Sequence, residues 1–214
     1  SRGLGDVYKR QALDITGSGQ STGISIFLIA IVALTITAAS YPFSSGAVVW
    51  KVVGAGSRMK WVRSLIAAVL STVLLVCAGA CVLNSLIALV AAPMNDVSLV
   101  TSASDVAVVW LRGSLAVLLL SLAIIGVVLT IRRIGPAIGV IVAVLMAGVI
   151  LGTIGVMAGW EPYLYNWLPS SAVSIAGGQG ATQTTNPWVG IAVLTGWSVV
   201  SMGLGLTRFH RANL

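Results

Sequence analysis

Five stretches of this chain are each long and apolar enough to cross a lipid bilayer, and the segments joining them alternate in charge. A helix needs about 20 predominantly apolar residues to span the hydrocarbon. Residues 23–41, 64–92, 113–131, 135–158 and 188–207 meet that length. None shows the two-residue alternation of a barrel strand. With no water to satisfy backbone groups in the bilayer core, these stretches must be helices. The expected fold is therefore all-α, a polytopic bundle. Composition agrees, since 57% of residues are hydrophobic and 8% charged, with mean hydropathy +1.03. A soluble domain carries about 25% charged residues and needs them to meet water.

The joining segments fix an orientation. Lys51, Arg58, Lys60 and Arg63 lie between the first two spans, with no acidic residue among them. The next segment carries Asp96 and Asp105, the next Arg132 and Arg133, the next Glu161, and the tail Arg208, His210 and Arg211. Basic segments stay on the cytoplasmic side. The expected topology places both basic connections and the C-terminus of a multi-pass membrane protein in the cytoplasm. The formal charge of +7 is thus read as a topology signal, and nucleic acid is not an expected partner. Arg112 departs from the pattern. It is read as an anchor at the outer mouth of the third span, its stem apolar and its head reaching water or Asp105.

Two connections carry more than charge. In YPFSSGAVVWKVVGAGSRMKWVRSL, Pro42 is expected to end or bend the first span. Ser44 or Ser45 is expected to cap a new short helix, and Gly54 and Gly56 to break it. Trp50, Lys51 and Val53 form an interfacial stretch, followed by Arg58, Lys60 and Arg63. This is either a positive loop at the headgroups or a short docking helix. The last outer segment holds Trp160, Tyr163, Tyr165 and Trp167, aromatic residues of the kind that anchor at headgroup depth. Gly148/Gly152 and Gly155/Gly159 have the small-xxx-small spacing of close helix packing. Cys77 and Cys81, four apart on one face, are read as small packing residues.

Catalytic chemistry is absent from the sequence. There is no G-x-x-x-x-G-K-[ST] phosphate loop, and GGQGATQTT lacks the lysine and a preceding strand. The lone His210 has no acidic or cysteine neighbour to share a metal. No carboxylate lies within a span, which disfavours an ion-coupled carrier. Asn84 is the main deep amide and is read as a helix-to-helix hydrogen-bonding group. The chain is expected to be no enzyme, to need no cofactor, and to draw its energy from another subunit.

The leader raises a separate question. Asp6–Gln11, DVYKRQ, can be encoded as GAT GTG TAT AAG AGA CAG, which resembles the end sequence of a transposase used to fragment DNA. Residues 1–11 are read as a sequencing or cloning scar, with an ordinary N-terminal tail as the alternative.

From Ala12 onward the order of features resembles the ABC type-2 permeases of bacteria. The matching pieces are SYPFSSG, GAGSRMKWVRSL, WLRGSLAVLLLSLAIIGVVLTIRR with its IRRIGPAIGV turn, YLYNWLPSSAVSIAG, and NPWVGIAVLTGWSVVSMGLGLTRFHRANL. In that family an LPS stretch precedes the last outer segment, and the last helix ends in a short basic tail. The resemblance implies a dimeric exporter permease, with an identical or a different second copy, driven by a separate ATP-binding cassette subunit. It makes residues 44–63 the coupling segment. It also implies six spans, so that five are present of six and the first is missing. Where the family often has an acidic residue before the aromatic-Ser/Thr-Gly stretch, this chain has Pro42. A membrane assembly or immunity subunit that moves no cargo has the same spans and stands as the alternative. A secondary carrier is the weaker one.

Overall fold

The computed structural model describes residues 26–94, 103–160, 166–177 and 186–211. Among them the chain is helical throughout: α1 (Ile26–Ser44), α2 (Val48–Ala55), α3 (Arg58–Met94), α4 (Ala103–Ile131), α5 (Ile134–Met157), α6 (Pro169–Ala176) and α7 (Pro187–Arg211). Five of these, α1, α3, α4, α5 and α7, are long and apolar enough to cross a membrane. The chain is a polytopic α-helical membrane bundle. Residues 1–11, Asp96, Glu161, Tyr163, Tyr165 and residues 178–185 of the GGQGATQTT stretch lie outside the described residues, as do the side chains of Asn84 and Asp105.

α4 is the hub. More than half of its span is buried (56%), against 17% for α3 and for α5. It packs most extensively on α7 and also meets α1, α3, α5 and α6. The α4–α7 seam is built from small residues. An added Cβ on Gly126 would lie 2.4 Å from the Ser201 carbonyl carbon, and one on Gly205 would lie 2.6 Å from the Gly126 oxygen. The single Ser198 Oγ proton is shared between Leu119 O across this seam, at 2.6 Å, and Leu194 O in its own helix, at 2.7 Å. Between lipid-solvated helices there is little hydrophobic drive to associate, so close backbone approach and hydrogen bonds supply the contact. On the other flank of α4, Thr35 Oγ1 of α1 donates to Ser121 Oγ at 3.4 Å.

Two spans begin earlier than their apolar runs. α3 starts at Arg58, in place of the expected 64, and its 37 residues measure about 55 Å at 1.5 Å per residue. α4 starts at Ala103, in place of 113. The added turns of α3 carry Arg58, Lys60 and Arg63, whereas those of α4 are mostly apolar, VAVVWL from 106 to 111, and join the longer run across the single charge of Arg112. The expectation for Ser44 and Ser45 is also corrected. Both hydroxyls turn back to Tyr41 O, at 3.1 and 2.8 Å, and finish α1. α2 begins after Ala47 with no side-chain cap. Gly54 lies within α2, and Gly56 alone ends it, at φ 70 with its N–H on Val53 O. That left-handed backbone favours glycine. Ser57 then caps α3, its Oγ accepting the Lys60 N–H at 3.2 Å.

α6 was not anticipated as an element. Leu168 is extended before Pro169, as a residue preceding proline prefers, and Pro169 opens the helix. Pro169, Ser170, Ala172, Val173, Ile175 and Ala176 are buried, so α6 is tucked into the bundle against α7 and α5. Gly190 of α7 and Gly148 of α5 make the room. A Cβ on Gly190 would stand 2.4 Å from Ala172 O, and one on Gly148 would stand 1.9 Å from Ser170 Oγ. Gly148 therefore packs closely, as its spacing suggested, but against a short helix. Gly159 does not pack. It ends α5 at φ 65, with Trp160 N–H on Gly155 O at 2.8 Å, the bond of a left-handed C-terminal cap.

Candidate functional site

Every Lys and Arg of the described residues except Arg112 gathers at one end of the bundle, where α1, α4 and α7 finish and α3 and α5 begin. The alternation of charge along the chain thus becomes a single basic end. Three aromatic rings, each from a different junction, hold it together. Phe43 of α1 stands edge-on to Trp61 of α3 at 5.9 Å and to Phe209 of α7 at 6.3 Å, and Trp61 lies 5.4 Å from Phe209. Trp61 and Phe209 are both buried. Such pairs contribute about 0.5–1.5 kcal/mol each beyond their area. Two arginines then close the ends of helices. Arg58 Nη1 donates to His210 O at 3.2 Å, and Arg132 Nη2 donates to Arg208 O. Cations suit these positions, because the last carbonyls of a helix lack partners and carry partial negative charge.

The expected coupling residues separate into two groups. Trp50, Lys51 and Val53 are on α2, a short helix that packs along α3. Its inner edge is Val48, buried, with Val52 and Ala55 packed against the core. Its outer edge is apolar and open. Trp50 is 80% exposed and Val53 69%, with Val49 beside them. Lys51 is exposed on the remaining side. Lys60 and Arg63 are exposed on the first turns of α3, whereas Arg58 is half-buried and engaged with α7. Trp61, which sequence reasoning passed over, is the residue that ties this segment to the bundle. An aromatic at each of three membrane-end junctions was the available signal.

At the opposite end Arg112 sits in the third turn of α4. It lies nineteen positions before Ile131 along α4, about 28 Å, close to the thickness of the hydrocarbon. It is half-buried, and its Nε has no partner among the described residues. Trp160 and Trp167 are exposed at this end. The Trp167 carbonyl accepts the Trp197 indole N–H at 2.8 Å, which satisfies the one donor of that ring. Among the described residues no three His, Cys, Asp or Glu side chains are placed to hold a metal. Cys77 and Cys81 are free thiols. No protein-family model, curated protein or solved structure matches the chain.

Proposed function

We propose that the chain is the membrane-spanning permease subunit of an ATP-driven bacterial exporter, powered by a separate ATP-binding subunit and paired with a second permease copy. On this reading it lies in the cytoplasmic membrane with its basic end and C-terminus in the cytoplasm. The observation that supports it best is α2. This helix is held along one edge by Val48 and Val52 and presents Trp50 and Val53 on the other. It is joined to α3 by Gly56, and α3 is locked to α1 and α7 through Trp61. A short rigid element so placed can pass a push from a docked ATPase into the bundle as a rigid-body movement. The residues of this chain hold no G-x-x-x-x-G-K-[ST] loop, which is in keeping with an ATP-binding subunit on a separate chain.

The test places aspartate at Trp50 and Val53 together and leaves Lys51, Arg58, Lys60 and Arg63 intact, so that topology is retained. The partner to be tested is the product of a neighbouring reading frame that carries a Walker A loop; a genome with no such frame beside this chain counts against the reading. Co-purification and transport-coupled ATP hydrolysis should both fall by about tenfold or more, as loss of a central apolar anchor does at an interface. Unchanged pairing and coupling at normal expression would leave α2 as a lipid-facing anchor and remove the support for an ATPase-driven permease.

A further inference from the structure

Where α4 and α7 end, three arginines surround one open hollow. Thr130, Ile131, Arg132, Arg208 and Arg211 line a space of about 370 Å³. Arg132 is fixed there. It is the non-glycine residue with a positive φ among the described residues, 59°, a backbone that side chains disfavour. Its N–H closes on Val128 O at 2.8 Å. Its guanidinium donates to Arg208 O and stands 5.8 Å from the Phe209 ring, and its Nε is buried without a partner.

Among the described residues that form the basic end, 41–63, 128–137 and 205–211, there is no Asp or Glu to balance this charge. Arg133 follows directly and adds to the same field. The hollow is complementary to an anion, and guanidinium groups pair with phosphate oxygens in a planar, two-point manner. An apolar track leads up to it. Val200, Leu204, Thr207 and Arg211 succeed one another at three and four residues along α7, and so share one face. Val200 and Leu204 are exposed on it, at 60% and 57%. A cationic hollow at the end of an exposed apolar helix face has the two halves of a lipid site: one for a head, one for a tail.

We infer that Arg132, Arg208 and Arg211 bind the phosphodiester of an anionic phospholipid, whose acyl chain lies along the Val200–Leu204 face of α7. Basic pockets between membrane helices take such headgroups. The site is independent of the exporter reading, since it needs only the membrane.

The experiment uses the whole chain in neutral detergent, titrated with dioleoylphosphatidylglycerol or dioleoylphosphatidylcholine and read by native mass spectrometry. The anionic lipid should be retained about tenfold better, a difference of one decade in dissociation constant. Inorganic phosphate at the same concentration should not displace it. Arg208→Gln with Arg211→Gln should lose that preference, and Arg208→Lys with Arg211→Lys should keep most of it. Lys51→Gln with Lys60→Gln removes equal charge at the same end and should stay within about twofold. Three results overturn the inference: equal retention of the two lipids by the unaltered chain, displacement by inorganic phosphate, or equal losses in the two glutamine pairs. The first two depend on no variant, so a misfolded variant does not rescue the proposal.

Discussion

Replacing Gly126 with alanine probes the seam on which the bundle is centred. A Cβ at this position would lie 2.4 Å from the Ser201 carbonyl carbon, 2.5 Å from Met202 N and 2.6 Å from Ser201 O. All three are backbone atoms of α7, so no side chain can turn aside. Ordinary contact begins near 3.4 Å, and α7 must therefore recede by about 1 Å, which a close-packed interior resists. Overpacking of this kind costs about 1–3 kcal/mol. The same displacement stretches the 2.6 Å bond from Ser198 Oγ to Leu119 O, and an interhelical bond in a membrane contributes about 0.6 kcal/mol on average. The expected loss is about 2–3 kcal/mol. The control is Gly203→Ala on α7, where an added Cβ meets nothing within 4 Å. Both variants gain whatever helix propensity alanine brings, so their difference isolates packing. Unfolding in mixed micelles with increasing dodecyl sulfate, followed by tryptophan fluorescence, measures it. Gly205→Ala, which faces Gly126 O at 2.6 Å, should behave like Gly126→Ala, and the double variant should cost less than the sum because one displacement accommodates both. If Gly126→Ala unfolds at the same point as Gly203→Ala, the seam does not organise the bundle and the reasoning is wrong.

Trp61→Ala empties the centre of the aromatic group at the basic end and should destabilise the chain by about 3–5 kcal/mol in a thermal melt, while Trp61→Phe keeps most of the ring contact and should cost less than half of that. Orientation is checked with single cysteines in a Cys77→Ala, Cys81→Ala background. An impermeant maleimide should label Ala158→Cys in intact cells and Gly54→Cys only after permeabilisation, and the reverse pattern would invert the topology.

The spans show how far local information reaches. Crossing a bilayer depends on the length and composition of a contiguous run, so the apolar stretches in 23–41, 135–158 and 188–207 sit within a few residues of α1, α5 and α7. The ends were less legible where basic residues prolong a helix, as at Arg58, or where a charge interrupts an apolar run, as Arg112 does in α4. The short helix α2 was visible in the mixed stretch around Trp50 and in the break at Gly56, whereas Gly54, also read as a break, lies within the helix. Its capping was misassigned, because Ser44 and Ser45 suit the end of one helix as well as the start of the next.

The sequence alone determined that the chain is an all-helical membrane bundle and that its basic residues fall on alternate connections. Both follow from transfer to lipid and from charge, which are summed along the chain. Only the tertiary structure decided that α4 is the hub, that Gly126, Ser198, Ser201 and Gly205 form its seam with α7, and that α6 is tucked between Gly148 and Gly190. It also decided that Arg132, Arg208 and Arg211 line one hollow. A soluble helix announces its buried face by an apolar stripe. In lipid, the outward and inward faces are both apolar, and the stripe disappears. What selects a partner there is shape: where a missing side chain lets two backbones approach, and where a serine finds a carbonyl across the gap. That match depends on residues far apart in sequence, so it is settled when the helices meet.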